Sequence, residues 1–306
     1  MSEIPRYSVI VAAYHSDTVI PECLAALRRQ NTTDFEVIVV NSSPTDETAR
    51  IVRQDFPEVR LIESPVRLLP HAARNVGAAE ARGALLVFTD ADCRPEPNWL
   101  ETLGKAANAG HEVVCGSIDL EGSGYFAKGV HLCKYSFRSP QLGAGPTTIA
   151  GTANACYSRK AWNHVGPFDG SRFAGDAMLS ARAANAGLEP WFVPDAVVRH
   201  SYEGDFLGLL SERVERGGDY AEARMELESW SRVRAACYSM ALPILPFVPL
   251  LRTARHALAS RSLGTYLATL PLQFAGHLAW SLGEFPRHLR RALGKPAARR
   301  AVHGES

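Results

Sequence analysis

Asp90 and Asp92 stand one residue apart at the end of the apolar run Leu85-Leu86-Val87-Phe88-Thr89. Two carboxylates this close repel unless solvent or a cation lies between them. Hard oxygen ligands of this kind hold Mg2+ or Mn2+ beside phosphate groups. A solvated acidic turn is the plainer alternative, because Asp-x-Asp is a common tripeptide. The strand-like run before the pair, and Pro95-Glu96-Pro97-Asn98-Trp99-Leu100 after it, favour the cation. Other chemistries find less support. The six cysteines show no Cys-x-x-Cys and no zinc spacing, and read as reduced thiols, several of them buried. His71, His111, His131 and His164 show no pairing that marks a site. Tyr14-His15-Ser16-Asp17, after the first apolar run, is not the Gly-rich basic loop that nucleotidyl transfer would favour.

The elements around the pair alternate between strand and helix. Short β-branched runs at Ser8–Ala13, Phe35–Val40, Val59–Ile62 and Ala84–Thr89 read as buried strands. Helical patterns fall between and after them, at Pro21–Gln30, His71–Arg82 and Trp99–Asn108. Ser43-Pro44-Thr45-Asp46 has the form of a helix start, with a Ser cap, Pro at the first position and an acid three residues after the cap. Such alternation predicts an α/β domain with a parallel sheet covered on both faces, and ligands at the carboxyl ends of its strands. The residues following Ala13, Val40 and Phe88 are therefore the first places to look. Residues 121–150, rich in Gly and Pro, read as loops and short strands lining an acceptor site. A strand at Thr148–Tyr157, a helix at Ala177–Ala186 and a strand region at Trp191–Arg199, interrupted at Pro194, complete the first two thirds.

Several segments together resemble the family-2 glycosyltransferases. They are Ser8-Val9-Ile10-Val11-Ala12-Ala13-Tyr14, Ala73-Arg74-Asn75-Val76-Gly77, Thr89-Asp90-Ala91-Asp92, Pro97-Asn98-Trp99-Leu100, Gly166-Pro167-Phe168-Asp169 and Val193-Pro194-Asp195-Ala196. The resemblance covers roughly residues 6–203, and its specificity lies in the order and spacing of the set. It implies a GT-A-like, Rossmann-type, mostly parallel sheet with flanking helices. It also implies inverting transfer from a nucleoside-diphosphate sugar to a hydroxyl of a glycan or lipid-linked acceptor. Asp92 would hold Mg2+ or Mn2+, Asp90 would contact the metal indirectly or the ribose, and His200 sits where a third ligand can fall. Ala13, Tyr14, Asn41, Arg74, Asp90 and Ala91 would line the nucleotide-sugar. The family usually carries its general base in a Glu-Asp pair at a helix start. Here Gly175 replaces the Glu and Asp176 matches the Asp, so Asp176 is the expected base; the plain alternative is an N-cap. Where the family often has Asp-Asp-Gly-Ser, this chain has Asn41-Ser42-Ser43-Pro44. Asn41 offers a donor and an acceptor to a base edge but no charge. The Gln-x-x-Arg-Trp of processive members is absent, which favours one sugar per encounter. Two rivals stay open: transfer to a polyprenyl phosphate, which would not need Asp176, and a non-catalytic nucleotide-sugar-binding module.

A hydrophobic share of 46% with 21% charged residues suits a folded core, and a net charge of +1 gives no general attraction to nucleic acid. The start, Met1-Ser2-Glu3-Ile4-Pro5-Arg6, lacks a signal-peptide pattern, which points to cytoplasmic chemistry. The character changes near Phe206, giving an expected glycosyltransferase domain over 1–205 and a helical region over 206–306. Ala235–Leu251 and Ser262–Gly283 carry no Asp, Glu, Lys or Arg. Arg252, Arg255 and Arg261 lie between these stretches, and Arg287, Arg290, Arg291, Lys295, Arg299 and Arg300 follow. Three prolines break the first stretch, and spanning would export a basic loop. Helices lying against an anionic membrane, at its inner face, are therefore expected; packed core or dimer-forming helices are the alternative, so an oligomer is possible.

Overall fold

The computed structural model describes residues 4–45, 47–202 and 204–295. Met1-Ser2-Glu3, Asp46, Arg299 and Arg300 lie outside them. Among the described residues the chain divides into two compact units, one holding those up to Asp119 together with Gly143–His200, the other Leu120–Leu142 and residues 201–295.

The first unit is built on a nine-stranded sheet. In chain order its elements are β1 (Tyr7–Ala13), α1 (Ile20–Arg28), β2 (Phe35–Asn41), α2 (Glu47–Asp55), β3 (Arg60–Glu63), α3 (Pro70–Glu80), β4 (Leu85–Asp90) and β5 (Cys93–Pro95). After α4 (Trp99–Asn108) and β6 (Val113–Glu121), the chain passes through α5 (Tyr125–Tyr135). It returns as β7 (Gly145–Pro146), β8 (Asn154–Ser158), α6 (Arg159–Val165), α7 (Gly175–Asn185) and β9 (Trp191–Ser201). The strand order is β3-β2-β1-β4-β8-β6-β9-β5, with β7 on β9.

Strands β3, β2, β1 and β4 pair in parallel; β8 runs antiparallel to both β4 and β6, and β5 and β7 run antiparallel to β9. The expected mostly parallel sheet is thus a mixed one. Each of the first three strands is followed by one crossover helix, which enforces parallel return. Later strands follow irregular connections, and an apolar run carries no signal of its direction. Strand β9 also passes through Pro194 without a break, its carbonyl accepting from Ser117 Oγ at 2.7 Å. A cluster of Phe88, Trp162 and Phe168, with ring centroids 5.1–5.3 Å apart, fills the core beneath the β4 end.

The second unit contains α5 and a helical array: α8 (Phe206–Leu227), α9 (Arg232–Met240), α10 (Phe247–Ala259), α11 (Leu263–Ala268) and α12 (Leu270–Ala292). The expected loops at 121–150 therefore include an eleven-residue helix, α5. Gly129 inside it weakens the helical signal, yet a Cβ there would lie 2.6 Å from Leu272 Cδ2, so the glycine admits α12. Helices α8 and α12 cross at bare backbone: a Cβ at Gly283 would meet Val214 O at 2.0 Å, and one at Gly217 would meet Trp280 O at 2.3 Å. The two uncharged stretches have different fates. Ser262–Gly283 supplies the buried side of α12, including Leu272, Gln273, His277 and Ala279, whereas Ala235–Leu251 forms α9, a turn and the start of α10 with most large side chains exposed. No described helix is long and apolar enough to cross a membrane.

Candidate functional site

The register of the central strands sets the floor of the site. Ala13 at the end of β1 pairs with Asn41 at the end of β2, and Ala12 pairs with Asp90 at the end of β4. The carboxyl ends of three parallel strands thus meet where the sequence places Ala13, Asn41 and Asp90. The loops beyond them are tied together. His15 N–H donates to Ser43 Oγ at 2.8 Å, and Ser16 N–H donates to Thr48 Oγ1 at 3.1 Å. Ser43 donates from Oγ and N to Asn41 Oδ1, at 2.6 and 3.2 Å. Two expectations change here. Helix α2 begins at Glu47, so Ser43 braces a loop instead of capping a helix. The Asn41 carbonyl is engaged locally, so its amide N–H groups are what it can offer a base. Tyr14 is partly exposed at the strand end, with Arg67 stacked 4.5 Å from its ring centroid.

Asp90 and Asp92 stand at the end of β4 with side chains 31% and 41% exposed, open enough to receive a ligand. Carboxylate oxygens of both, and the Cys93 thiol, come within 4.8 Å of one another. Burial holds the Cys93 thiol protonated, and a hard cation takes oxygen ligands. Strand β5 pairs Cys93 with His200 on β9, which brings His200 Nε2 to 3.2 Å from Asp92 Oδ2. The carboxylates of Asp90 and Asp92 are donors that fit a hard cation such as Mg2+ or Mn2+, and His200 stands beside Asp92. Beneath them the buried Cys23 thiol of α1 donates to the Asp90 carbonyl at 3.5 Å.

Helix α3 lies against β1 because Gly77 lacks a Cβ, which would sit 2.6 Å from Ile10 Cγ2. This close approach delivers two residues. Asn75 clamps the segment after α6: its Nδ2 donates to Phe168 O, and its Oδ1 accepts from Phe168 N–H, each at 3.0 Å. The distant segments Ala-Arg-Asn-Val-Gly and Gly-Pro-Phe-Asp are therefore two halves of one contact. Arg74, 5% exposed, makes an ion pair with Asp90. Its Nε is buried without a hydrogen-bond partner, an orphan donor beside the open carboxylates.

Asp176, in the first turn of α7, is largely buried and accepts from Ala177 N–H at 2.8 Å. His71 Nε2 lies 3.9 Å from Asp176 Oδ1 and 3.1 Å from Phe173 O, while its Nδ1 lies 3.4 Å from Arg74 Nη1. Burial, then the Arg74 charge, push the His71 pKa down to about 4, so the ring is neutral at physiological pH. Contacts thus run from Asp176 through His71 and Arg74 to Asp90. The sequence reading left His71 out. The available signal was its position one turn before Arg74 on the same helix face.

Comparisons with known proteins identify the family and the fold. Residues 8–166, more than half of the chain, match the family model for glycosyl transferase family 2. Glycosyltransferase AglE of Haloferax volcanii is 29% identical over 209 residues, covering 65% of this chain and 68% of that protein. Validoxylamine A glucosyltransferase of Streptomyces hygroscopicus is 32% identical over 36% of this chain and 25% of its own length. A mannosyltransferase of Pyrobaculum calidifontis, solved with GDP-Man and Mn2+, shares the fold at TM-score 0.55 and 20% identity, over 88% of this chain and 87% of its own. GalNAc-T7, solved with UDP, GalNAc and Mn2+, shares it at TM-score 0.53 and 15% identity; the match covers 66% of this chain but 45% of that one. With these motifs assembled at the carboxyl ends of β1, β2 and β4, the chain is a glycosyltransferase and belongs to glycosyl transferase family 2.

Proposed function

We propose that the protein transfers a sugar from a nucleoside-diphosphate donor to a hydroxyl of a glycan or lipid-linked acceptor, with inversion at the anomeric carbon. The observation that carries this reading is the linked set Asp176–His71–Arg74–Asp90, with Asp92 and His200 beside it. Asp176 takes the proton of the attacking hydroxyl, a role suited to a carboxylate largely shielded from water. Arg74 faces the diphosphate, where its charge and orphan Nε–H stabilise the leaving group. Asn41 contacts the base, and Ala13, Tyr14 and Ala91 line the nucleotide. A Mg2+ or Mn2+ ion held by Asp92, with Asp90 and His200, would offset charge on the departing diphosphate. Mn2+ accompanies the nucleotide ligand in both solved neighbours.

The test is a screen of UDP-, GDP- and dTDP-sugars with Mg2+ or Mn2+, read as donor hydrolysis and as transfer. Asp176→Asn abolishes transfer and leaves donor affinity nearly unchanged, because the base acts on the acceptor proton. Normal transfer by this variant shifts the reading to an already anionic acceptor such as a polyprenyl phosphate.

The helical region, residues 206–306 in this reading, docks on anionic lipid at the inner face of the cell membrane. The support is the exposed apolar set Met240, Ile244, Phe247, Val248 and Leu251, with Arg232, Arg234, Arg252 and Arg255 exposed beside it. Soluble surfaces seldom present so many large apolar side chains in one stretch. Basic neighbours suit them to anionic headgroups.

A further inference from the structure

We propose that His71 is a positioning residue for Asp176, its imidazole packing against Gly175 and its Nε2–H holding the Phe173 carbonyl just ahead of α7. The proposal rests on the reading of Asp176 as the proton acceptor.

The tautomer follows from the partners. Phe173 O can only accept, so Nε2 carries the hydrogen; Arg74 can only donate, so Nδ1 is the acceptor. Phe168 covers the ring at a centroid distance of 4.9 Å, and His71 is 3% exposed. The imidazole is therefore fixed from three sides, with Nε2 3.9 Å from Asp176 Oδ1. Its position also anchors the backbone just before α7, since the Phe173 carbonyl stands three residues ahead of Asp176.

Gly175 completes the argument. A Cβ there would lie 2.7 Å from Asp169 O, 2.8 Å from His71 Cδ2 and 3.0 Å from His71 Cγ. The bare backbone at position 175 thus admits the Asp169 carbonyl on one contact and the imidazole from α3 on the other. The neutral ring brings no second negative charge next to Asp176. Through Nδ1 it rests on Arg74, whose other end holds Asp90. An imidazole in this place sets the proton acceptor relative to the donor-binding side chains.

The test compares His71→Phe, His71→Gln and His71→Asn in steady-state transfer, using the donor identified by the nucleotide-sugar screen. Phe keeps the ring and loses both polar atoms; Gln can place an amide N–H near Nε2; Asn places one near Nδ1. Loss of positioning lowers kcat by about tenfold or more in His71→Phe with donor KM within about twofold, because misplacing a reacting group costs rate more than donor binding. His71→Gln recovers most of the rate and His71→Asn does not. A His71→Phe enzyme with wild-type kcat overturns the proposal, as does an equal loss in the Gln and Asn variants. If His71→Phe does not fold, the Gln–Asn comparison decides. Asp176→Asn, assayed in parallel, separates the two claims. Wild-type transfer there removes the base reading itself, whereas an inactive Asp176→Asn beside an active His71→Phe removes only the positioning role.

Discussion

Asp90 and Asp92 are neighbours in sequence with different partners. Asp90 is held by the buried guanidinium of Arg74, while Asp92 meets the imidazole of His200. Asp92 is thus the carboxylate better placed to release its present partner and take a cation. Asp92→Asn keeps the shape and removes the charge. Donor turnover should fall by a factor of hundreds, equivalent to about 3 kcal/mol of transition-state stabilisation, the scale expected for one electrostatic contact to a developing charge. Kinetics across a Mn2+ titration check this, and a variant within threefold of wild type at all concentrations would sink it. Cys93 lies as near in space but is a fully buried thiol, and it belongs to the packing of β5.

Close approach of backbone governs how the elements meet. Helix α3 reaches β1 over Gly77, and α8 meets α12 at Gly217 and Gly283. In Gly283→Ala the new methyl would face Val214 O at 2.0 Å, and the contact is backbone, which no rotamer change relieves. The helices must separate, at a cost of about 1–3 kcal/mol or more for overpacking. Thermal unfolding should show a lowered Tm for this variant, whereas Gly264→Ala, where a Cβ meets nothing within 4 Å, should change it little. Helices α9 and α10 present the opposite case, an apolar face with few neighbours. Replacing Met240, Ile244 and Leu251 together by Ser should reduce flotation with anionic liposomes and leave the melting transition near wild type, because these side chains bury little in the fold. Salt should weaken only the part carried by arginine. A wild-type chain that stays unbound to such liposomes contradicts the membrane reading.

Across the whole molecule, buried histidines set the response to acid. Burial is the leading cause that pushes His71 and His288 down to about 4 and His277 to about 3, with Arg74, Arg224 and Arg213 adding to it respectively. Each is neutral in the fold and takes up a proton near pH 6.5 when unfolded, so the unfolded state binds more protons as the pH falls below that value. Stability is therefore full above about pH 6.5 and declines toward pH 4, with His71 and His277 each costing about 2 kcal/mol at pH 5. Denaturant unfolding at pH 7 and pH 5 checks this: His277→Leu should show a smaller loss between the two than wild type. An equal loss would mean that His277 does not titrate in this window. Sequence alone determined the family, the βα alternation, the Asp90–Asp92 pair and the helix that carries Arg74. These rest on local patterns: apolar period, strand-end carboxylates, and Gly or Asn within one turn of each other. Tertiary structure alone decided the mixed sheet, because an apolar run has the same appearance in either direction. It decided α5, whose interior Gly129 reads as a breaker until α12 is seen against it. It divided the two uncharged C-terminal stretches into a packed helix and an exposed face, since uncharged residues suit both. It also joined His71 to Asp176 and Asn75 to Phe168 across about a hundred residues of chain. No local period encodes such contacts, because they depend on where α3 and α7 come to rest against the sheet.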